Sequence, residues 1–103
     1  MLNDEISVVG TSNYQDALKR ISQWNKNDGP VERYHNAVVE FEPTNPYDSK
    51  AIKVTVDGLL VGYIAKSDHR YMTPKVSKAG GAVIIEMVII GGQDKKYLGA
   101  YLR

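Results

Sequence analysis

Apolar and polar side chains alternate most regularly just after the middle of the chain. In residues 52–57 (IKVTVD) every second residue is apolar, which predicts a strand buried on one face, with Lys53 pointing outward. The Asp-Gly pair that ends this run favours a tight hairpin turn, and residues 59–64 (LLVGYI) return as the antiparallel partner. Gly62 has no side chain to pack in the return strand, so it predicts a bulge or a close approach by a backbone or ligand.

A helical period replaces this alternation nearer the start of the chain. Five residues recur there at spacings of three, one, three and three: Tyr14, Ala17, Leu18, Ile21 and Trp24. These spacings place them on one stripe of a helix, which we expect to face the core. The segment NKNDGP (25–30) contains Asn, Gly and Pro and should end the helix.

Short β-prone runs make up most of the remaining chain. They are residues 6–9 (ISVV), 35–42 (HNAVVEFE), 82–90 (AVIIEMVII) and 96–103 (KYLGAYLR), the last two joined through GGQDK at 91–95. Residues 66–81 predict a short, broken helix that is capped by Ser67, interrupted at Thr73 and Pro74 and ended by a glycine pair. These elements predict a mainly β fold, a small OB-like or SH3-like curled sheet or barrel of five or six strands with one or two helices.

Length and charge narrow the class of protein. A chain of 103 residues, 43% of them hydrophobic, fits one domain with one core over residues 1–103. The net charge of +1 hides a basic part, residues 49–103, with nine bases against four acids, which permits an anionic partner contacted at few phosphates. The absence of cysteine, of a leader-like start and of a long apolar span favours a cytoplasmic protein without membrane contact.

Most catalytic sites lack the residues that they require. The two histidines, His35 and His69, are far apart and no cysteine accompanies them, so a zinc site has no ligand set. Ser67, Asp68 and His69 are adjacent, and side chains at a helix start diverge, so they favour capping over a catalytic triad. No glycine pair is followed by Gly-Lys-Ser/Thr, the end of a nucleotide-hydrolase phosphate loop. We therefore expect a binding protein that needs no cofactor, not an enzyme.

Residues 42–54 (EPTNPYDSKAIKV) carry a resemblance to a known family. NPYDSKAIKV, followed after the hairpin by VGYIAK, resembles the HIRAN family, whose members have an Asn-Pro-Tyr-Asp loop, an Asn-Ala-Ile or similar strand start and a Val-Gly-Tyr/His-Leu strand. The similarity is clearest over residues 38–72, and VVG at 8–10 resembles the family's first strand. The resemblance implies an OB-like, six-stranded barrel with accessory helices and a binding function in DNA repair, replication or processing.

The resemblance also implies a particular ligand. In fork-remodelling translocases of the family, the domain captures the 3′ end of single-stranded DNA by stacking its terminal bases on aromatic rings and hydrogen-bonding the free 3′-hydroxyl. Position by position, this assigns Asn45 to the loop, Tyr47 to stacking, Asp48 to the terminal hydroxyl and Lys66 to the DNA backbone. The chemistry agrees, because a ring stacks on any base and a carboxylate repels phosphate but accepts a hydroxyl proton.

Other positions match the family less closely. Lys53 could supply a further phosphate contact, and Tyr63 lies in the matching VGYI strand. After the first-strand glycine, DNA-binding members present an arginine and aromatics, whereas this chain reads TSNYQ and keeps only Tyr14. The connection over residues 15–34 is longer than that of the family and could cover the groove. Three residues near Lys66 could extend a nucleic-acid surface: His69, Arg70 and Tyr71.

Two alternatives stay open at this point. The NPYD loop can be a structural turn in which Asn45 and Asp48 bond the loop backbone and Tyr47 packs on the barrel rim. The barrel can also be a protein-interaction or homodimerising module, which an exposed strand edge such as the one ending in AYLR would favour. For the DNA-binding function, the expected partners are single-stranded DNA or DNA 3′ ends and a protein that carries helicase or nuclease activity.

Overall fold

Six antiparallel strands form one closed barrel. The computed structural model describes residues 5–25, 28–92 and 97–103. The strands are β1 (Ile6–Val9), β2 (Val31–Phe41), β3 (Ile52–Val56), β4 (Leu59–Ile64), β5 (Ala82–Gly91) and β6 (Leu98–Leu102). The helices are α1 (Gln15–Ser22) and α2 (His69–Lys78), preceded by the 3-10 turns Thr11–Asn13 and Lys66–Asp68. Around the barrel the order is β1-β4-β3-β2-β5-β6, which confirms the predicted mainly β fold.

The hairpin of β3 and β4 has the turn and the bulge that its sequence predicts. Asp57 and Gly58 both have positive φ angles, 52° and 80°, as the type I′ hairpin turn requires. The pairing register shifts between Val54 and Thr55, opposite Gly62, which is the signature of a bulge in one strand. The extra residue is Val61 of β4, between Leu60 and Gly62.

Gly62 also lies where β4 meets β1. A Cβ atom at this position would be 2.5 Å from the carbonyl oxygen of Val9 and 2.6 Å from a methyl carbon of Val8. No side chain fits in that space, so β1 approaches β4 as closely as it does because residue 62 is glycine. Both predicted reasons for this glycine therefore apply.

The core fills the barrel and extends to both helices. Its largest fully buried side chains include Leu18, Ile52, Met87, Ile89 and Leu102. The alternation of buried and partly exposed residues in β3 and β6 places one face of each strand inside the barrel. Lys53 is on the outer face, as predicted.

The predicted helical stripe is confirmed in part: Ala17, Leu18 and Ile21 lie in α1 and reach the core, whereas Tyr14 precedes the helix and is not in the core cluster. Leu18 is fully buried, and Ala17 and Ile21 pack against the same cluster. Helix α1 ends at Ser22, before the NKNDGP segment. Trp24 is buried beyond the helix end, where its indole N–H donates to the carbonyl oxygen of Gly29 over 2.7 Å. Residues 26–27 of NKNDGP and 93–96 of the predicted GGQDK loop lie outside the described residues.

Helix α2 is continuous, which corrects the predicted break. It runs from His69 to Lys78 with Pro74 inside it. Proline removes one backbone N–H and crowds the preceding turn, but Met72 and Val76 are buried in the core on either side of it. This packing holds the helix together across the proline.

The predicted helix cap at Ser67 is also wrong. Ser67 lies inside the 3-10 turn, and the residue that precedes α2 is Asp68, whose side chain makes no capping hydrogen bond. The chain turns into the helix through backbone bonds instead, with the amide of Asp68 donating to the carbonyl oxygen of Ala65 over 2.9 Å.

Strand β2 is longer than its sequence predicts. It begins at Val31 instead of residue 35 and pairs with β5 along ten positions, from Gly91 to Ala82. Residues 31–36 (VERYHN) are mostly polar, so no local pattern marks them as a strand. The ladder with β5 holds them in extended conformation.

Strand β6 is paired on both sides at Tyr101 and Leu102. It pairs with β1 on one side and with β5 on the other. An exposed edge at AYLR, which would have favoured a peptide-binding or dimerising module, is therefore not present at Tyr101 and Leu102.

Candidate functional site

A groove of about 300 Å³ lies beside the NPYD loop. Its floor is apolar and includes the buried residues Ala51, Ile52 and Ile64. Five of the seven residues predicted to bind DNA line it: Asn45, Tyr47, Asp48, Tyr63 and Lys66. We call this feature the NPYD groove. The volume is at the lower end of the range for ligand pockets, about 300–1,000 Å³, which suits the end of a polymer better than a long stretch of it.

Asn45 shapes the loop from within. Its side-chain oxygen accepts hydrogen bonds from the backbone amides of Tyr47 and Asp48, at 2.9 and 3.0 Å. Its amide group donates to Glu42 over 2.7 Å. This is an Asx turn, in which the side chain replaces a backbone partner. Asn45 is therefore committed to holding the loop, as the structural interpretation of this residue predicted, and its bonds fix the backbone at Tyr47 and Asp48.

Glu42 connects the loop to the barrel. Its carboxylate accepts the Asn45 bond and a second one from the Tyr63 hydroxyl, at 2.8 Å. The bond from Asn45, helped by Tyr63 and the charge of Lys53, lowers the pKa of Glu42 against the opposing effect of burial. Burial, with the hydrogen bond to Glu42, raises the pKa of Tyr63 to about 12. The Tyr63 hydroxyl is thus protonated at neutral pH and engaged with Glu42.

Tyr47 and Asp48 point their functional groups away from this network. The Tyr47 side chain is 93% exposed, so the ring does not pack on the barrel rim, as the alternative interpretation supposed. One Asp48 carboxylate oxygen accepts the backbone amide of Lys50 at 2.9 Å, which matches the structural alternative in part. Its second oxygen has no hydrogen bond to any described residue. The groove is thus lined by an exposed aromatic ring and by a carboxylate that has one oxygen without a hydrogen bond to any described residue.

Lys66 and His69 line the groove where β4 gives way to the 3-10 turn. Lys66 is exposed and opens the turn. His69 is half-buried, with its Nε2 3.3 Å from the carbonyl oxygen of Ile64. The lining of the groove therefore includes a carboxylate on the loop, a cation on the turn and several apolar residues.

Two of the predicted residues do not line the NPYD groove. Lys53 lies on the outer face of β3, with its Nζ 3.6 Å from a Glu40 oxygen and 3.9 Å from a Glu42 oxygen. Two carboxylates thus already offset its charge. Tyr14 precedes α1 and is half-buried, outside the groove lining.

The sequence interpretation missed Glu42 and the apolar floor. A signal for Glu42 was present, because Glu42 lies two residues after Glu40, just beyond the end of β2, and Lys53 lies opposite Glu40 in the paired strand. A carboxylate two residues beyond a cross-strand ion pair, at the start of a loop, is placed to anchor that loop. The floor needs the closed barrel, which brings Val9 of β1 beside Tyr63 of β4.

Within the described parts of the chain, no group of three or more His, Asp or Glu residues could hold a metal ion. The helices described are also too short or too polar to cross a membrane.

Replacing Glu42 by glutamine is expected to reduce the loss of unfolding free energy that accompanies a fall in pH. A carboxyl whose pKa is lowered by folding adds stability that is complete above its unfolded pKa, about 4.3, and is lost as the pH falls through the folded value. Glutamine keeps an acceptor for Asn45 and Tyr63 but does not titrate. Urea unfolding between pH 3 and 6 should therefore show a shallower loss for Glu42→Gln than for the wild type. Parallel profiles would contradict this role.

The comparisons with known proteins identify one family. The sequence profile of the HIRAN domain matches residues 4–102 of the 103-residue chain, which includes all the described strands and helices. No curated protein and no solved structure matches the chain. HIRAN domains are known for DNA binding and are binding domains without catalysis of their own.

Proposed function

Because the chain belongs to the HIRAN domain family, we propose that it binds single-stranded DNA in the NPYD groove and holds a free 3′ end there. The observation that carries the proposal is the pairing, on one loop, of an open aromatic ring at Tyr47 with an open carboxylate oxygen at Asp48. Each group suits one part of a strand end, and the turn that bears Lys66 borders the same groove.

Tyr47 supplies the affinity in this proposal. Every base has a face that stacks on an aromatic ring, and the exposed ring of Tyr47 needs no rearrangement to accept one. The Asx turn of Asn45 fixes the backbone on which the ring is carried, so less conformational entropy is lost on binding.

Asp48 supplies the selectivity. A carboxylate near a DNA backbone is repelled by the phosphates, and this cost is recovered only if the carboxylate accepts a hydrogen bond. A free 3′-hydroxyl offers that proton, whereas a 3′-phosphate or a continuing strand offers a further negative charge. The unbonded oxygen of Asp48 is thus suited to a strand terminus.

Lys66 supplies a phosphate contact from the turn that lines the same groove. Its ammonium is exposed and forms no ion pair with a described residue, in contrast to Lys53 with its two carboxylates. We therefore assign the main backbone contact to Lys66 and a minor one to Lys53. Tyr63 contributes its ring to the groove wall, Asn45 the loop geometry, and Tyr14 no direct contact.

Capture of a strand end does no work on DNA by itself. In DNA repair, replication or processing, unwinding or cleavage would come from a partner protein or from another part of a longer chain. The alternative function, a protein-interaction or homodimerising module, has lost the open β6 edge that would have favoured it.

Fluorescence anisotropy with two labelled ligands of one sequence tests the proposal. One is a single strand of about eight nucleotides, a length within the site sizes known for single OB folds. The other is the blunt duplex of the same sequence. The single strand should bind more tightly, because a base that is paired and stacked in a duplex does not reach the Tyr47 ring. Duplex binding as tight as that of the single strand would contradict the stacking role.

A further inference from the structure

Helix α2 carries positive charge directly beside the NPYD groove. The 3-10 turn at Lys66 leads straight into α2, and His69, the first residue of the helix, still lines the groove. Three further basic residues of α2 are exposed: Arg70, Lys75 and Lys78. No aspartate or glutamate occurs between residues 69 and 85, and none of the three forms an ion pair with a described residue. The charge at the groove therefore continues along the helix.

An exposed aromatic ring accompanies this charge. Tyr71 is 62% exposed, and the guanidinium carbon of Arg70 lies 5.3 Å from the centre of its ring. A guanidinium in this position keeps N–H groups at its edge for a phosphate. Tyr71, Lys75 and Lys78 are four and three residues apart, so they share one side of the helix. The buried residues Met72 and Val76 hold the other side against the core.

We propose that this surface of Arg70, Tyr71, Lys75 and Lys78, the α2 surface, binds the single strand on the 5′ side of the nucleotides in the NPYD groove. The inference rests on the proposed function, because it takes Asp48 as the place of the 3′ terminus. From there the strand passes Lys66 and follows α2. Arg70, Lys75 and Lys78 contact successive phosphates, and Tyr71 stacks one base.

The occupant is single-stranded DNA because α2 begins at the groove and its exposed basic residues match the strand in charge. The ten residues of α2 span about 15 Å at about 1.5 Å per residue. That length accommodates about four stacked nucleotides at about 3.4 Å each. With two or three nucleotides at the groove, the whole site covers about six or seven, within the range of about 4–16 for an OB fold.

The test compares oligonucleotides of about three and about eight nucleotides, both with a free 3′-hydroxyl, against wild type and the variant Arg70→Ala/Lys75→Ala/Lys78→Ala. The wild type should bind the longer strand roughly tenfold more tightly. The variant should bind the shorter strand like the wild type and lose most of the gain from length. Its slope of log affinity against log salt for the longer strand should be smaller by about 2, since each single-strand contact accounts for about 0.7.

A matched variant in the other helix, Lys19→Ala/Arg20→Ala, should leave both affinities at the wild-type value, and thermal melts should show that both variants fold. If the longer strand binds more tightly than the shorter one by the same factor in the wild type and in the α2 variant, the inference is wrong. The proposed binding in the NPYD groove would not be affected by that result. If the wild type binds neither strand, both the inference and the proposed function fail. Displacement of the longer strand by oligoglutamate as readily as by unlabelled DNA would also overturn the inference, because the surface would then bind any polyanion.

Discussion

Replacing Tyr47 by alanine is expected to weaken single-strand binding about 5- to 150-fold, because stacking of one base is worth about 1–3 kcal/mol. The free energy of unfolding should hardly change, since the side chain is 93% exposed and contributes nothing to the core. Anisotropy titration gives the affinity, and urea unfolding gives the stability of the same preparation.

Tyr97→Ala is the matched control for this change. Tyr97 is also an exposed tyrosine, 65% accessible, and it lies outside the groove lining. Its replacement should leave the affinity unchanged. Equal affinities for Tyr47→Ala and the wild type would show that the loop tyrosine is not a stacking platform, and the NPYD loop would then be only a turn.

Replacing Gly62 by alanine is expected to lower the free energy of unfolding by about 2–3 kcal/mol, the upper part of the range for overpacked sites. The new methyl group would be 2.5 Å from the Val9 carbonyl oxygen and 2.6 Å from a Val8 methyl carbon. Backbone atoms move only if the strands separate, so β1 has to shift from β4. Urea unfolding at constant pH measures the loss.

Gly99→Ala provides the control within another strand of the same barrel. Nothing lies within 4 Å of a Cβ atom at Gly99, and its φ is ordinary for an L residue. Alanine there should be neutral or stabilising by up to about 1 kcal/mol, because glycine loses more backbone entropy on folding. A Gly62→Ala variant as stable as Gly99→Ala would mean that the contact between β1 and β4 does not depend on glycine.

The sequence predicts the fold best where local signals agree. The β3–β4 hairpin combines strict alternation, an Asp-Gly turn and a glycine at the bulge. All three sequence signals indicate the same structure. Strand β2 has no such local signals over residues 31–36. The polar residues there are held in extended conformation by pairing with β5, which is distant in the sequence. Pro74 misleads in the opposite way, because Met72 and Val76 hold α2 together by contacts that no local pattern reveals.

The residues of the candidate site also differ in whether the sequence alone could predict their roles. The family resemblance directs attention to Tyr47, Asp48 and Lys66, and these residues do line one groove. The role of Asn45 inside its own loop follows from the usual behaviour of asparagine in turns. Glu42 is different, because its partner Tyr63 is 21 residues away and comes beside it only when β2, β3 and β4 pair. Lys53 lies on the outer face of β3 and Tyr14 precedes α1, so neither residue lines the groove.

In the proposed function, an aromatic ring and an acid act together on one loop. A ring alone would bind any exposed base along a strand, and an acid alone would repel the strand. Together they favour the position where a base is followed by a hydroxyl instead of a phosphate. The α2 surface would then add affinity from the rest of the strand without changing which end is chosen.

The most direct test is the affinity of one single-stranded oligonucleotide with a 3′-hydroxyl against the same strand with a 3′-phosphate, for the wild type and Asp48→Asn. The wild type should prefer the hydroxyl by about tenfold or more, as expected for a hydrogen bond to a charged group. Asp48→Asn should narrow the preference, because a neutral amide does not repel the added phosphate. Equal binding of both strands by the wild type would contradict capture of the 3′ end.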